Sequence, residues 1–379
     1  MRRSSPRSRA RRGLTLVELV VASGLLTLLM LAIFSLLDSF LSMWDKSEQR
    51  RQLAEGSQGI VELLASDFAA LDAGGRGDLL CEWVAFDTDA DSLLDRRWPR
   101  IRMVRHASDG ELARLQGNAP DREVGEGLLE VCWAVLPARP HGSSKDQRRD
   151  ELAEGFLWRG ERVYGSADAT NPSFFRDDFL SGSGKPRPGS VDEVSGGVLW
   201  LGMQFATQLS WLRDGWRTGP ELTDVTASWD AWSRGRPDLD HHFWNEAGAG
   251  VPVAEGRPAL PRRVRLALEL ERPGDLKRRT RLARFLDARE GTVTVLDSER
   301  LPALALSGPA SAGSAELGTF VLVDAEWMEL RSVLGDTVQV RRGARGTTAQ
   351  AHEAGALVHY GTTLVREIPI ALHREDWDF

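Results

Sequence analysis

Apolar residues run almost without interruption from Leu14 to Leu37, and the only charged residue among them is Glu18. As an α-helix, about 24 residues extend about 36 Å, which exceeds the hydrocarbon core of a bilayer at about 30 Å. The pattern predicts a transmembrane helix over residues 14–37. Residues 1–13 carry six arginines and no acid, so the positive-inside rule predicts a cytoplasmic amino terminus and an exported remainder.

The helical pattern continues beyond this run, with apolar residues at the spacing of one helix face. These residues are Ile60, Leu63, Leu64, Phe68 and Leu71. No proline interrupts residues 14–98, and the glycine-rich stretch 74–77 ends the pattern. We therefore expect an amphipathic stalk helix over residues 38–73.

Short apolar or alternating runs between turn residues follow, and they predict β-strands. The runs are Leu79–Phe86, Arg100–Arg105, Leu128–Val135, Val198–Phe205, Val264–Leu270 and Leu282–Leu286. We predict an α+β fold in which the long amino-terminal transmembrane and stalk helix packs on an antiparallel β-sheet formed by residues 74–287. Residues 137–195 and 230–260 are rich in turn residues and predict loop insertions in this head.

Residues 288–361 contain further short alternating runs, with turns at 334–336 and 342–346. This stretch resembles small β modules of phage-tail proteins. It predicts an inserted small β subdomain, and the alternative is that it extends the main sheet. Residues 362–379 predict a closing strand and a tail.

The charge of the chain is unevenly distributed. The net charge is −7, and without the basic leader 42 basic residues remain against 55 acidic ones, about −13. Because nucleic-acid binding needs a broad basic surface, we expect no nucleic-acid partner. The basic leader is instead explained by its retention on the cytoplasmic side of a membrane.

Three ordinary interpretations of the amino terminus each leave something unexplained. A secretory signal peptide has an apolar core of about 7–15 residues and a small-residue cleavage site, whereas this run is longer and lacks such a site. A twin-arginine signal is suggested by Arg11 and Arg12, but an acid so early in the apolar region does not suit it. A plain membrane anchor leaves Glu18 unexplained, because a charge within hydrocarbon costs about 2.5 kcal/mol or more.

The segment Gly13-Leu14-Thr15-Leu16-Val17-Glu18 resembles the class III signal of type IV pilins and type II secretion pseudopilins. The resemblance implies that a prepilin peptidase cuts between Gly13 and Leu14 and methylates the new amino group of Leu14. Glu18 is then the fifth residue after the cut, where the family requires a glutamate. Leu14 departs mildly from the family, which more commonly has phenylalanine at the first mature position.

Two roles for Glu18 remain open. The resemblance implies that its carboxylate pairs with the processed amino group of a neighbouring subunit and sets the register of assembly. A helix amino terminus also favours nearby negative charge, and a charge in apolar surroundings persists when it is paired. The alternative is that Glu18 reaches toward the membrane interface, four residues inside the span.

Four later segments resemble the J-type minor pseudopilin of type II secretion. They are Glu130–Pro137, Phe156–Val163, Gly197–Gly219 and Leu260–Glu271. The resemblance implies a non-enzymatic subunit of the periplasmic pseudopilus, at its tip. It also implies a single-pass location in the bacterial inner membrane, with a periplasmic head. The expected partners are the prepilin peptidase/methyltransferase, other minor and major pseudopilins and the inner membrane.

Two other functions remain as alternatives. One is a minor pilin of a type IV pilus, which shares the amino-terminal signal and belongs to a different machine. The other is a single-span anchored protein with a periplasmic binding or enzymatic domain.

The sequence offers little for catalysis or metal binding, and we expect no enzymatic activity and no cofactor. Asp87, Asp89 and Asp91 open like a calcium loop, but an EF-hand would need glycine at position six and glutamate at position twelve. A solvated acidic loop is the alternative interpretation. Cys81 and Cys132 allow one disulfide in an exported protein, and two buried thiols on strands are equally compatible.

Overall fold

Strands dominate the part of the chain that the structure describes. This computed structural model describes residues 16–86, 96–117, 127–137, 155–165, 172–175, 191–206, 216–217, 228–232, 258, 260–271, 279–302, 304 and 318–370. The chain divides into two compact units, Met1–Glu55 and Gly56–Phe379. Within the described residues, fourteen strands form two antiparallel sheets, accompanied by two α-helices and a short 3-10 helix at Ser298–Arg300.

The first helix, α1, spans Leu16–Ala69 and has 54 residues. Its last turn runs into a short bridge at Leu71, which pairs with Arg105, and the glycine-rich turn follows. The second helix, α2, spans Asp109–Gly117 and starts with a capping box, in which Ser108 and Glu111 each hydrogen-bond the other's backbone N–H.

The first sheet has nine strands, in the order β14-β8-β5-β4-β3-β2-β1-β7, with β6 paired to β5. Most neighbours in chain order are also neighbours in the sheet, so it is built largely as a meander. The strands are β1 (Asp78–Phe86), β2 (Arg96–His106), β3 (Leu128–Pro137), β4 (Gly155–Val163), β5 (Val191–Ala206), β6 (Trp216–Arg217), β7 (Trp229–Asp230), β8 (Arg263–Leu270) and β14 (Thr362–Pro369).

The first sheet curls strongly. The rings of Trp83 on β1 and Trp200 on β5 stack with centroids 5.0 Å apart, although three strands separate β1 from β5 in the sheet. Register shifts in the β4–β5 and β5–β8 pairs mark bulges, which increase local twist. The curl therefore brings large aromatic side chains from distant strands into one core.

The second sheet has five strands in the order β13-β10-β11-β12-β9. They are β9 (Thr292–Thr294), β10 (Phe320–Val323), β11 (Glu326–Leu334), β12 (Thr337–Ala344) and β13 (Val358–His359). A cluster of buried apolar residues that includes Val293, Val321, Met328 and Val338 belongs to this sheet alone. All five strands lie between β8 and β14, which pair directly with each other, so the second sheet is an excursion from the first.

Arg345 joins the two sheets. Its guanidinium lies 2.7 Å from Glu269 on β8 and is stacked against the rings of Trp200, Phe320 and Trp327, with centroid distances of 4.2–5.1 Å. Only 3% of Arg345 is exposed. An arginine this deeply buried persists because the carboxylate pairs its charge and the ring faces attract it.

The predicted α+β fold, a long helix packed on one sheet in the manner of pilins, is wrong. The described residues are mostly antiparallel β-structure arranged in two curled sheets. The sequence interpretation gave most weight to the amino-terminal periodicity. The buried apolar side chains of the described residues belong mainly to strands, and these strands pair with partners far away in the chain.

The predicted membrane location is also wrong. Among the described residues, no helix is both long enough and apolar enough to cross a membrane. The prediction considered residues 14–37 alone, whereas the helix that the structure describes from Leu16 continues through charged residues to Ala69. The expected transmembrane helix, the membrane features attached to it and the single-pass inner-membrane location are corrected accordingly.

Candidate functional site

The predicted processing site lies at the edge of the described chain. Gly13 and Leu14 fall outside the described residues. The structure places the backbone of Glu18 in α1, two residues after the helix begins at Leu16. A carboxylate in the first turn of a helix is favoured by the helix dipole.

The apolar segment of α1 (residues 16–40) leaves its large side chains uncovered in this chain. Leu28, Leu29, Met30 and Leu31 are consecutive, and each is 47–65% exposed. Four consecutive helical residues point in all directions around the axis, so the exposed apolar surface surrounds the helix. The other exposed members are Leu16, Val17, Val20, Val21, Leu25, Leu26, Ile33, Phe34, Leu36, Leu37 and Phe40.

The docking segment of α1 (residues 56–69) behaves differently. Its buried residues recur at three- and four-residue spacing, as expected for one helix face against a sheet. They are Ser57, Ile60, Val61, Leu64, Asp67 and Phe68. Leu63, at the edge of this face, is 41% exposed. This segment therefore has a single buried face.

Asp67 fixes the docking segment to the first sheet. Trp133 on β3 donates its Nε1–H to Asp67 Oδ2 at 2.7 Å. Arg159 on β4 donates from Nε and Nη2 to the two carboxylate oxygens, each at 3.0 Å, and Arg105 Nε on β2 lies 2.8 Å from Oδ1. Only 1% of Asp67 is exposed. A carboxylate this deeply buried needs several hydrogen-bonding and charged partners, because an unpaired charge there would be strongly destabilising.

Glu111 extends this cluster from α2. It accepts from Arg105 Nη1 at 3.0 Å and also pairs with Arg105 Nη2. The hydrogen bond from Arg105 lowers the pKa of Glu111 from 4.5 to about 2, against partial desolvation and with help from Ser108. Arg105 is thus shared between a buried carboxylate on α1 and a more open one on α2.

Sequence reasoning missed Asp67 and its arginine partners. An acid between the apolar positions of a helix usually faces solvent, so the sequence pattern gives no indication that Asp67 is buried. One signal was available in the sequence. Arginines alternate with apolar residues along β2 and β4, whereas a strand buried on both faces is usually continuously apolar, so these arginines indicate buried acidic partners.

A second buried carboxylate cluster was also missed, in the second sheet. Glu326 accepts hydrogen bonds from Arg342 Nε and Nη2, the backbone N–H groups of Gly343 and Gln350, and His352 Nε2. Despite desolvation, these donors lower the pKa of Glu326 to about 2. These five donors fill the acceptor capacity of the carboxylate, and the cluster holds residues 343–352 against β11.

His352 stands between two carboxylates in the same cluster. Its Nδ1 lies 2.7 Å from Asp324 and its Nε2 lies 2.9 Å from Glu326. Burial acts to lower the pKa of His352, but the hydrogen bonds to Asp324 and Glu326 outweigh it and raise the pKa. Because both ring nitrogens face carboxylate oxygens, the surroundings of His352 favour its protonated form.

The remaining sequence candidates are the three aspartates of the acidic segment and the two cysteines. Asp87, Asp89 and Asp91 lie outside the described residues. Within the described ranges, no group of three or more His, Cys, Asp or Glu side chains could hold a metal ion. Cys81 and Cys132 are buried on β1 and β3, which lie on either side of β2, and they form no disulfide with each other. The two-thiol interpretation therefore fits the structure.

Comparison with known protein families, curated proteins and solved structures finds no match to this chain. The functional argument therefore rests on the residues themselves. Two features support a function: the motif that ends at Glu18, and the exposed apolar side chains of residues 16–40.

Proposed function

We propose that this chain is a non-enzymatic assembly subunit, a minor pseudopilin of the J type in a type II secretion system. After leader cleavage and methylation at Leu14, the apolar segment joins the helices of other pseudopilins. The observation that carries the proposal is the exposed apolar surface all round residues 16–40, directly after a class III-like signal.

The first support is energetic. Burying a leucine or phenylalanine side chain contributes about 1.5–3 kcal/mol, and the apolar segment exposes fifteen large hydrophobic side chains. Exposed apolar surface of this extent marks an interaction site. Packing among neighbouring helices covers every side of a cylinder, whereas a flat partner surface would cover one.

The second support is the position of Glu18. In a bundle of such helices its carboxylate would be buried, so it needs a positive partner. Cleavage after Gly13 creates a positive amino group at Leu14 that the uncleaved chain lacks. Pairing this amino group with Glu18 of a neighbour holds adjacent helices at one axial offset, while apolar packing alone would tolerate several.

The first test is the chemistry of the amino terminus. The full chain is expressed with and without an active prepilin peptidase, and its amino terminus is sequenced by mass spectrometry. We expect a start at methylated Leu14 only when the peptidase is present. An intact amino terminus in the presence of active peptidase would contradict the proposal.

The second test separates assembly from folding. We expect Glu18→Ala to lose co-assembly with partner pseudopilins, measured by crosslinking or co-purification, while the thermal unfolding of the sheets is unchanged. Thr27→Ala is the matched control, because it removes an exposed polar group from the same segment without changing charge. Normal co-assembly of Glu18→Ala would refute the register role.

A further inference from the structure

A groove of about 440 Å³ opens beside the first sheet, far in sequence from the apolar segment of α1. Its volume lies in the usual range for small-molecule sites. The turn after α1, the start of β1, the strands β2 and β3, the two residues after β4 and the second residue after β7 all contribute to it. The side chains used below are Arg76, Asp78, Glu130, Tyr164, Phe175 and Trp232.

One wall of the groove is held in place by buried charges. Arg102 Nη1 donates to the carbonyl oxygen of Phe174 at 2.8 Å, and the Phe174 N–H donates to Glu130 Oε2 at 3.0 Å. Ser173 donates its hydroxyl to the same oxygen at 2.9 Å. Both backbone groups of Phe174, its N–H and its carbonyl oxygen, are therefore hydrogen-bonded to buried charged side chains. These bonds fix the stretch 172–175, so this wall exists without a ligand.

The carboxylate of Glu130 lines the groove and can accept further hydrogen bonds. Glu130 is 3% exposed, and both hydrogen bonds that the described residues donate to it end on Oε2. An ionised carboxylate has about four acceptor sites on its two oxygens. Glu130 lines the groove, and within the described residues both of these donors leave Oε1 unused. Glu326 differs, because its two oxygens accept hydrogen bonds from five donors within the chain. A carboxylate with a purely structural role can therefore be fully hydrogen-bonded in this fold.

Three half-buried aromatic side chains complete the lining: Tyr164, Phe175 and Trp232. Trp232 donates its indole N–H to the carbonyl oxygen of Gly77 at 2.9 Å, which fixes the ring beside the turn. A β-carbon at Gly77 would lie 1.7 Å from the carbonyl oxygen of Asp72, so the close approach of this turn requires glycine. The aromatic lining is thus rigid on the Trp232 side.

The charges of the groove are close to balanced. Arg76 and Asp78 both line it, and Arg162 Nε lies 3.7 Å from Glu130. A balanced groove does not favour an ion of either sign. It suits a neutral ligand that donates several hydrogen bonds from one edge and presents apolar faces to aromatic rings.

We propose that this groove binds a short neutral oligosaccharide. Sugar hydroxyls donate to Glu130 Oε1 and exchange hydrogen bonds with Arg76 and Asp78. The apolar faces of the sugar rings lie against Tyr164 and Trp232. This is a binding function, which is separate from the proposed assembly through α1.

The test uses the full chain against an array of neutral di- to tetrasaccharides, followed by calorimetric titration of each binder. We expect at least one binder, and we expect Tyr164→Ala and Glu130→Gln each to weaken it at least tenfold. Phe285→Ala is the control. It removes an exposed aromatic side chain that does not line the groove, and it should leave the affinity unchanged. Thermal unfolding of each variant shows whether it folds, and Tyr164→Ala keeps the test valid if Glu130→Gln does not.

Three outcomes would overturn this proposal. They are the absence of any binder on the array, equal affinity in wild type and a folded Tyr164→Ala, and binding of lysine methyl ester at Glu130 in preference to every sugar. None of these bears on processing at Leu14 or on co-assembly, so the groove and the assembly role fail separately.

Discussion

The two stretches of α1 share one helix and differ in what they require of their surroundings. In the docking segment, one face is buried and Leu63 at its edge is 41% exposed. In the apolar segment, the large side chains are exposed on all sides. The buried face of the docking segment is covered by apolar packing and by the polar partners of Asp67. The side chains of the apolar segment are exposed, and the functional proposal therefore rests on them.

The comparison teaches that helical periodicity and helical environment are separate properties. A one-sided apolar stripe predicts a partner surface of matching width, which the first sheet supplies. An all-round apolar surface predicts only that something must surround the helix, and the sequence pattern does not state what does. The identity of that surrounding is proposed here from the signal that precedes it.

The largest expected effect comes from breaking the polar anchor of the docking segment. Asp67→Ala leaves Arg105, Arg159 and the Trp133 indole without their shared acceptor in a buried site. Removing one partner of a buried ion pair costs about 3–5 kcal/mol, so we expect a loss of this size in the free energy of unfolding. Urea denaturation followed by tryptophan fluorescence measures it.

Asp67→Asn is the matched control for that experiment. The amide keeps one oxygen acceptor and nearly the same volume, so it separates loss of charge from loss of packing. We expect a smaller loss than for alanine. If Asp67→Ala changed the unfolding free energy by less than about 1 kcal/mol, the anchor would have no energetic importance.

The next effect comes from apolar truncation at matched positions. Leu64 is fully buried in the docking segment, while Leu63 is 41% exposed and Leu26 in the apolar segment is 56% exposed. We expect Leu64→Ala to cost about 2–5 kcal/mol in the free energy of unfolding. Leu63→Ala should cost much less, and Leu26→Ala should leave the unfolding of the sheets within about 0.5 kcal/mol of wild type.

An equal cost at Leu64 and Leu26 would break the comparison between the two stretches. It would mean that the apolar segment is already covered by this chain, and the case for outside partners would lose its main support. Chemical denaturation at one protein concentration compares the three variants directly.

Strand positions followed from the sequence better than the fold did. The alternating runs at Leu79–Phe86, Leu128–Val135 and Val264–Leu270 coincide closely with β1, β3 and β8. The run Leu282–Leu286 instead forms only isolated bridges. Periodicity within a strand is local, but the number of sheets depends on pairings between strands far apart in the chain. β8 pairs with β14 although the whole second sheet lies between them in sequence, and no local pattern encodes this.

The candidate sites followed from the sequence least of all. The signal around Glu18 is a contiguous motif and was readable. Asp67 and Glu130 owe their roles to partners that lie dozens of residues away in the chain, and a lone acid in a helix or strand reads as a surface residue. Buried charge becomes visible only once the fold brings its partners together.

The smallest expected effect is a pH dependence at the outer end of the anchor. Because the pKa of Glu111 falls from 4.5 to about 2 on folding, its contribution to stability is present above about pH 4.5 and is lost as the pH falls toward 2. Glutamine keeps the capping-box geometry with Ser108 and removes the charge that pairs with Arg105. We therefore expect Glu111→Gln to lower stability near pH 6 by about 1 kcal/mol or less, since the pair is partly open to solvent. The difference from wild type should vanish near pH 2, as measured by urea denaturation across this range. A difference that persisted unchanged at pH 2 would show that Glu111 acts through the helix cap and not through its charge on Arg105.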